Sequence, residues 1–294
     1  MKELVVISGK GGTGKTSIVA SFAALAGRAV LADCDVDAAD LHLVLAPEVR
    51  RRESFSGGQR ARIVAERCTL CGRCKMLCRF DAISLVETGD GGSAYFIDPY
   101  ACEGCGVCAH ECMKRAIEFG PVETGEWFVS ETRHGPMVHA QLGIAAENSG
   151  KLVTVVRNEA RKIAQNRGRS LLIVDGPPGI GCPVIASITG STHVLAVTEP
   201  TVSGEHDVER VLELAAHFHV PVSVCVNKWD INPEMTERIE QRAREKGAEP
   251  IGRIRYDSAV TAAQMKGVSA VEYDDSPAAQ DVRKGWERLC DRIS

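Results

Sequence analysis

Eight of the chain's twelve cysteines fall in two runs of identical spacing, Cys68-x2-Cys71-x2-Cys74-x3-Cys78 and Cys102-x2-Cys105-x2-Cys108-x3-Cys112. Core packing does not call for thiols so close together, whereas three thiolates at this spacing wrap one iron-sulfur cube and the fourth reaches a second. Laid over each other, the runs also match Gly72 with Gly106, Ala82 with Ala116 and Ile83 with Ile117, so the segment is an internal duplication. Zinc is the competing reading, but zinc draws its four ligands as two pairs. Between the runs, residues 83–87 and 94–98 flank Thr88-Gly89-Asp90-Gly91-Gly92-Ser93, a hairpin pattern.

The rest of the composition agrees with metal ligation. Residues 1–8 are too short and too soon followed by glycine to serve as a secretory signal, which implies a reducing cytoplasm where cysteines seldom form disulfides. A net charge of −4 gives no global field for nucleic acid. The sequence has no apolar run of 18 residues, so stable membrane insertion is not expected.

Outside the cysteine window, apolar runs of strand length alternate with helical periods, the pattern of a parallel sheet covered on both faces. Strands are predicted at 4–8, 29–33, 171–175, 194–198, 222–227 and 250–254, and helices at 16–26, 155–166, 203–218, 233–246 and 277–293. The first strand runs into Gly9-Lys10-Gly11-Gly12-Thr13-Gly14-Lys15-Thr16, which satisfies G-x4-G-K-[ST] and opens a helix. Its glycines let successive N–H groups turn toward one phosphate, and the helix N-terminus adds its positive end. Lys15 is expected on the β and γ phosphates and the Thr16 hydroxyl on Mg2+.

With its second lysine, Lys10, this loop resembles the deviant Walker A motif of the MinD and nitrogenase-iron-protein superfamily. The cysteine segment resembles a two-cluster bacterial ferredoxin, and the whole chain resembles MinD-type ATPases that carry such a domain as an insert. The resemblance implies an α/β P-loop ATPase at 1–60 and 120–294, with a mostly parallel sheet and helices on both faces, and an α+β ferredoxin-like domain at 61–119. ATP, Mg2+ and two 4Fe-4S clusters are the implied cofactors. The ATP set is Gly9, Lys10, Gly11, Gly12, Thr13, Gly14, Lys15, Thr16, Ser17, Gly179 and Asn227. Asp35, from Asp33-Cys34-Asp35, would position the attacking water and touch the metal shell. Asp175 would bind Mg2+ through water, the Gly179 N–H would meet the γ-phosphate and Asn227 would face adenine. Lys10 would act in trans across an ATP-bound dimer, formed with a second copy or with a paralogue.

In the ferredoxin family the fourth cysteine of each run crosses over, which implies Cys68, Cys71, Cys74 and Cys112 as one ligand set and Cys102, Cys105, Cys108 and Cys78 as the other. The family's proline after the fourth cysteine is replaced here by Arg79 and Met113. Cys182 lies seven residues after Asp175, the offset of a cluster-binding cysteine in nitrogenase iron protein, and so implies a metal or cluster at the dimer face. Cys34 lies between Asp33 and Asp35, while Cys225 and Cys290 read as small core residues.

Three functions follow from these features. ATP-driven dimerisation could gate electron transfer, or cluster assembly, on a partner metalloprotein; a positioning ATPase could use its clusters as redox sensors; or the chain could be an ATP-dependent cluster carrier. The tail bears on the second reading: Val282, Trp286, Leu289 and Ile293 form an apolar stripe beside a mixed polar face, which predicts a helix docked on its own core. Arg50, Arg51 and Arg52 with residues 54–58 read as a solvated flexible linker, and the stretches 147–151 and 198–204 match the family without a role of their own.

Overall fold

The computed structural model describes residues 1–89, 91–143 and 149–293. Asp90 of the hairpin turn, and Glu147 and Asn148 of the 147–151 stretch, lie outside them. The strands are β1 (Lys2–Ser8), β2 (Val30–Asp33), β3 (Glu48–Ile63), β4 (Ile83–Glu87), β5 (Ser93–Ile97), β6 (Ile117–Thr132), β7 (Gly135–Leu142), β8 (Leu171–Pro178), β9 (His193–Thr198), β10 (Val222–Asn227) and β11 (Glu249–Ile254). The chain forms two compact units. The first comprises Met1–Glu53, Glu126–Gln141 and Ser149–Ser294; the second is Ser54–Gly125 with a segment that begins at Leu142.

Nine strands form one sheet in the order β11-β10-β9-β1-β8-β2-β7-β6-β3. Every neighbouring pair from β11 to β7 is parallel. All six strands expected from the apolar runs lie in this parallel part; four of the five expected helices lie within a residue of where the periodicity put them, and the fifth, expected at 155–166, begins six residues earlier at Ser149. Both faces are buried, as unbroken apolar strands require. Leu4, Val6, Leu31, Ile173 and Leu195 face a core shared with the helices Lys15–Ala26 and Pro277–Ile293. The alternating Val5, Ile7, Leu172 and Val174 are equally inaccessible. The tail helix docks as its pattern predicts: Leu289 is fully buried, and Trp286 packs on Phe22 with ring centroids 4.8 Å apart.

The expected linker is instead the interior of β3, and this is a correction. Ascending positions of β3 meet descending ones of β6: Arg52 pairs with Glu126, the Ser56 hydroxyl donates to the Val122 carbonyl and Arg62 pairs with Glu118. The arginines that suggested a solvated coil are outward residues with carboxylate partners, Arg52 across the strand pair on Glu126, Arg50 on Glu48 of its own strand and Arg51 on Glu159 of the helix Ser149–Asn166, while Phe55, Gly57 and Ala61 turn inward. Period-2 burial with so few apolar side chains leaves little hydropathy signal.

In the second unit, β4 and β5 pair antiparallel, Ile83 opposite Ile97 and Leu85 opposite Tyr95. Two short helices, Arg73–Leu77 and Val107–His110, repeat the sequence duplication in space. Each follows a glycine in left-handed conformation, Gly72 at φ 76° and Gly106 at φ 74°, the two glycines that superpose in sequence. Ala61, Ile83, Ile97 and Ile117 form the core, with five half-buried cysteines packed round it.

Candidate functional site

β1 lies between β8 and β9, and from its C-terminal end the chain turns through residues 9–14 into the helix Lys15–Ala26. Glycine is required here. Gly14 has φ 83°, and a Cβ on it would stand 2.4 Å from Asn227 Nδ2; a Cβ on Gly9 would stand 2.3 Å from Asp207 Cβ. The loop borders a cavity of about 560 Å3 whose wall includes residues 11–17, Asp35 and Asn227. This is the carboxyl edge of the parallel strands, where open α/β sheets bind ligands.

Lys15 sits at the centre of a charge cluster. Its Nζ lies 2.6 Å from Asp175 Oδ1 and 3.5 Å from Asp35 Oδ2, and both Lys15 and Asp175 are buried. Burial alone would lower the lysine pKa, but the Asp175 and Asp35 carboxylates overcome it and hold the ammonium above its ordinary range. Burial and the neighbouring Asp175 push Asp33 well above the carboxylate range, and burial, partly offset by Lys15, raises Asp35. Asp33 also accepts from the amides of Asp35 and Leu41. Three carboxylates thus surround one ammonium, and Asp175 Oδ2 is buried with no hydrogen-bond partner. That excess of negative charge, with an orphaned oxygen beside a phosphate loop, fits a hydrated divalent cation.

The other expected residues lie less simply. Asn227, expected to face adenine, has its Nδ2 donating to the Thr13 carbonyl at 2.8 Å, so the side chain braces the loop. The Gly179 amide donates to the Ser8 carbonyl at 2.8 Å, tying β8's exit to β1. Lys10 turns back on its own chain, 3.1 Å from Ser203 Oγ, 3.4 Å from Thr201 Oγ1 and 3.6 Å from Glu199 Oε2. Glu199 also holds Lys228 at 2.5 Å, so the 198–204 stretch receives Lys10 and Lys228 together. Sequence reading missed Asp33 as part of the charge cluster, and missed residues 255–257 on the cavity wall, where the Tyr256 amide is fixed by Asp230 at 2.7 Å. The Asp at the end of Asn227-Lys228-Trp229-Asp230 was the available signal for the second.

The duplicated cysteines gather round two small cavities. Cys68, Cys71, Cys74 and Cys112 line one, and Cys78, Cys102, Cys105 and Cys108 line the other; Cys108 borders both. Burial raises the Cys74 thiol, with Cys68 and Cys71 adding to it, and Cys108 is raised in the same way by burial and by Cys102. Among the described residues, no three His, Cys, Asp or Glu side chains converge closely enough to hold a single metal ion. The thiols lining these cavities are of the donor type that iron-sulfur clusters and zinc both take. Cys182 is exposed at the start of the helix Cys182–Ile188, next to Pro183 on the nucleotide cavity wall. Cys34 and Cys225 are buried, with the Cys225 thiol pushed up to about 12 by burial, as inert core residues are.

A glycine loop closing a central parallel strand, with a buried lysine and an Asp-bearing neighbouring strand, defines a P-loop nucleotide-binding protein. The CobQ/CobB/MinD/ParA nucleotide binding domain matches residues 4–270, and the chain belongs to that family. It is 35% identical over 240 residues to the uncharacterized protein MJ0578 of Methanocaldococcus jannaschii, covering 78% of this chain and 79% of that one. A second uncharacterized protein of that organism, MJ0579, is 25% identical over 94% of both chains. Among solved structures, the septum site-determining protein MinD of Pyrococcus horikoshii, complexed with Mg-ADP, shares the fold with a TM-score of 0.59 at 18% identity, over 98% of this chain and 95% of that one. Among the described residues, no helix is long and apolar enough to cross a membrane.

Proposed function

We propose that this protein is a Mg2+-dependent ATPase whose ATP-bound dimer, of two copies or with a paralogue, gates electron transfer or cluster assembly on a partner metalloprotein. The observation that carries the proposal is the pair of cysteine-lined cavities: Cys68, Cys71, Cys74 and Cys112 share one with Cys108, and Cys78, Cys102, Cys105 and Cys108 line the other, which supports the crossed sets that the ferredoxin pattern implies. When bound, two 4Fe-4S clusters supply one-electron redox chemistry. At the nucleotide site, Lys15 holds the β and γ phosphates while Thr16, Asp35 and Asp175 hold the hydrated Mg2+. Gly11, Gly12, Thr13 and Gly14 present backbone amides to the phosphates. Gly179 follows the Mg2+-binding strand and senses the γ-phosphate once its amide leaves Ser8. Asn227 serves adenine from its brace on Thr13, and Ser17 supports the loop from the first helical turn. Lys10 leaves Glu199, Thr201 and Ser203 to reach the partner's nucleotide, which makes hydrolysis depend on the dimer. Cys182, beside this switch, meets its counterpart at the dimer face and contacts metal there.

A membrane-cycling role is less well supported, because the amphipathic tail helix buries its apolar face in its own core. The test is anaerobic: iron and sulfide counts, and EPR of the reduced protein with ADP, ATP and a non-hydrolysable analogue. About eight irons per chain and nucleotide-dependent spectra are expected. Spectra and iron content indifferent to nucleotide would refute coupling between the two activities.

A further inference from the structure

The two cysteine cavities are pseudo-symmetric in backbone but opposite in charge. Arg73 and Lys114 line the cavity of Cys68, Cys71, Cys74 and Cys112. Arg67 and Arg115 stand beside it, joined through a bond from Arg67 Nη1 to the Arg115 carbonyl at 3.1 Å, and Lys75 follows Cys74 directly. Three carboxylates answer these five cations: Glu111 takes Arg73 at 2.5 Å, Glu118 takes Arg67 at 2.8 Å and also serves Arg62, and Glu66 precedes Arg67. Lys75, Lys114 and Arg115 are exposed and make no ion pair among the described residues. Two methionines stand out from the same segments, Met113 at 82% exposure, itself on the cavity wall, and Met76 at 79%.

The other cavity carries the opposite sign. Glu103 lines it, and Asp98 is bonded through its amide to the Ala82 carbonyl, with Ala82 on the cavity wall and Asp81 next to it in the chain. Arg79 is the one cation adjoining the cysteines of that set in sequence.

From this we infer that the face around Cys68, Cys71, Cys74 and Cys112 is a docking surface for a redox protein with an acidic surface, and that the surroundings of Glu103 at the other cavity are not part of it. Charge complementarity selects the occupant: unpaired lysines and an arginine round an apolar centre attract a carboxylate-rimmed patch and repel a basic one. Flexible, polarizable methionines suit an adaptable contact of modest affinity. The inference rests on the cluster reading proposed above. In the electron transfer it serves, one electron leaves a reduced cluster and one arrives on the acceptor, with no bond made or broken. The positive surroundings stabilise the more negative, reduced form at this cavity, so the electron is drawn to the docking side before it leaves.

The experiment uses the full, iron-loaded chain with two probes, flavodoxin as an acidic redox protein and cytochrome c as a basic one, and reads binding affinity separately from electron transfer. Flavodoxin is expected to bind at low salt and to lose about tenfold or more in affinity on raising NaCl toward 200 mM, a range in which screening removes surface attraction. Combined Lys75→Glu, Lys114→Glu and Arg115→Glu substitutions are expected to weaken it by about tenfold or more, while Glu103→Lys changes it less than about twofold. Lys75→Glu alone, at an exposed helix position, keeps the test valid if the triple variant fails to fold, and is expected to weaken binding measurably. Equal binding of cytochrome c, or affinity for flavodoxin indifferent to these reversals, overturns the docking surface. A low iron count on the same sample counts against the cluster reading alone, because affinity is measured independently of it.

Discussion

Asn227 and Gly14 test whether the nucleotide loop is braced by a side chain from a strand two places away in the sheet. Replacing Asn227 by Ala removes its 2.8 Å bond to the Thr13 carbonyl, at a cost of about 1 kcal/mol. Replacing Gly14 by Ala imposes φ 83° on a residue with a Cβ, about 1–2 kcal/mol, and places that Cβ 2.4 Å from Asn227 Nδ2, which expels the amide and forfeits the same bond. The single variants are therefore expected to lose about 1 and about 2–3 kcal/mol. The double variant loses the bond only once, so it is expected to cost about 1 kcal/mol less than the sum. Urea denaturation followed by tryptophan fluorescence reads the right part of the chain, because Trp127, Trp229 and Trp286 all belong to the unit that holds the loop. Additive single effects, within about 0.3 kcal/mol, would refute the brace and leave only backbone strain at Gly14.

Asp175→Asn leaves Lys15 with Asp35 at 3.5 Å as its remaining ion-pair partner, yet it also relieves the repulsion that raises Asp33. A loss of about 2 kcal/mol is expected, below the usual cost of breaking a buried pair, together with loss of the extra thermal stabilisation by ATP that requires Mg2+. Burial, with His42 adding to it, lowers the His139 pKa to about 4, so the folded state binds fewer protons than the unfolded one. Stability from this group is complete above about pH 6.5 and falls away as pH drops toward 4, and His139→Gln flattens that slope in chemical denaturation series. Trp286→Ala removes the ring packed at a tilt on Phe22 and is expected to cost about 2 kcal/mol and to increase amide exchange across the helix Pro277–Ile293. Cys182→Ser is expected to lower the iron content of the ATP-bound dimer without altering that of the ADP form; equal counts in both would remove this residue from the dimer face.

Much of the parallel sheet was legible because strands buried on both faces are written as continuous apolar runs, such as Leu171-Leu172-Ile173-Val174. β3 and β6 were not, because their stability rests on outward Arg–Glu pairs and a sparse inward row, and a polar ladder resembles a coil in composition. The phosphate loop could be placed from its glycines and Lys15, since backbone geometry and one charge define it. Its neighbours could not: the turn of Lys10 toward Glu199, the brace from Asn227 to Thr13 and the bond from the Gly179 amide to Ser8 each join residues far apart in the chain. Sequence spacing also did not show that the two cysteine cavities would differ in sign, because the charges that distinguish them come from several separate turns.

The position of Glu199 between Lys10 and Lys228 makes those two residues competitors for one anion. Were Lys10 to leave, Glu199 would be left with Lys228 as its remaining ion-pair partner among the described residues. Lys228 is the immediate neighbour of Asn227, which grips Thr13. The front of the loop at Lys10 and its back at Thr13 are thus joined through one carboxylate and the adjacent residues Lys228 and Asn227.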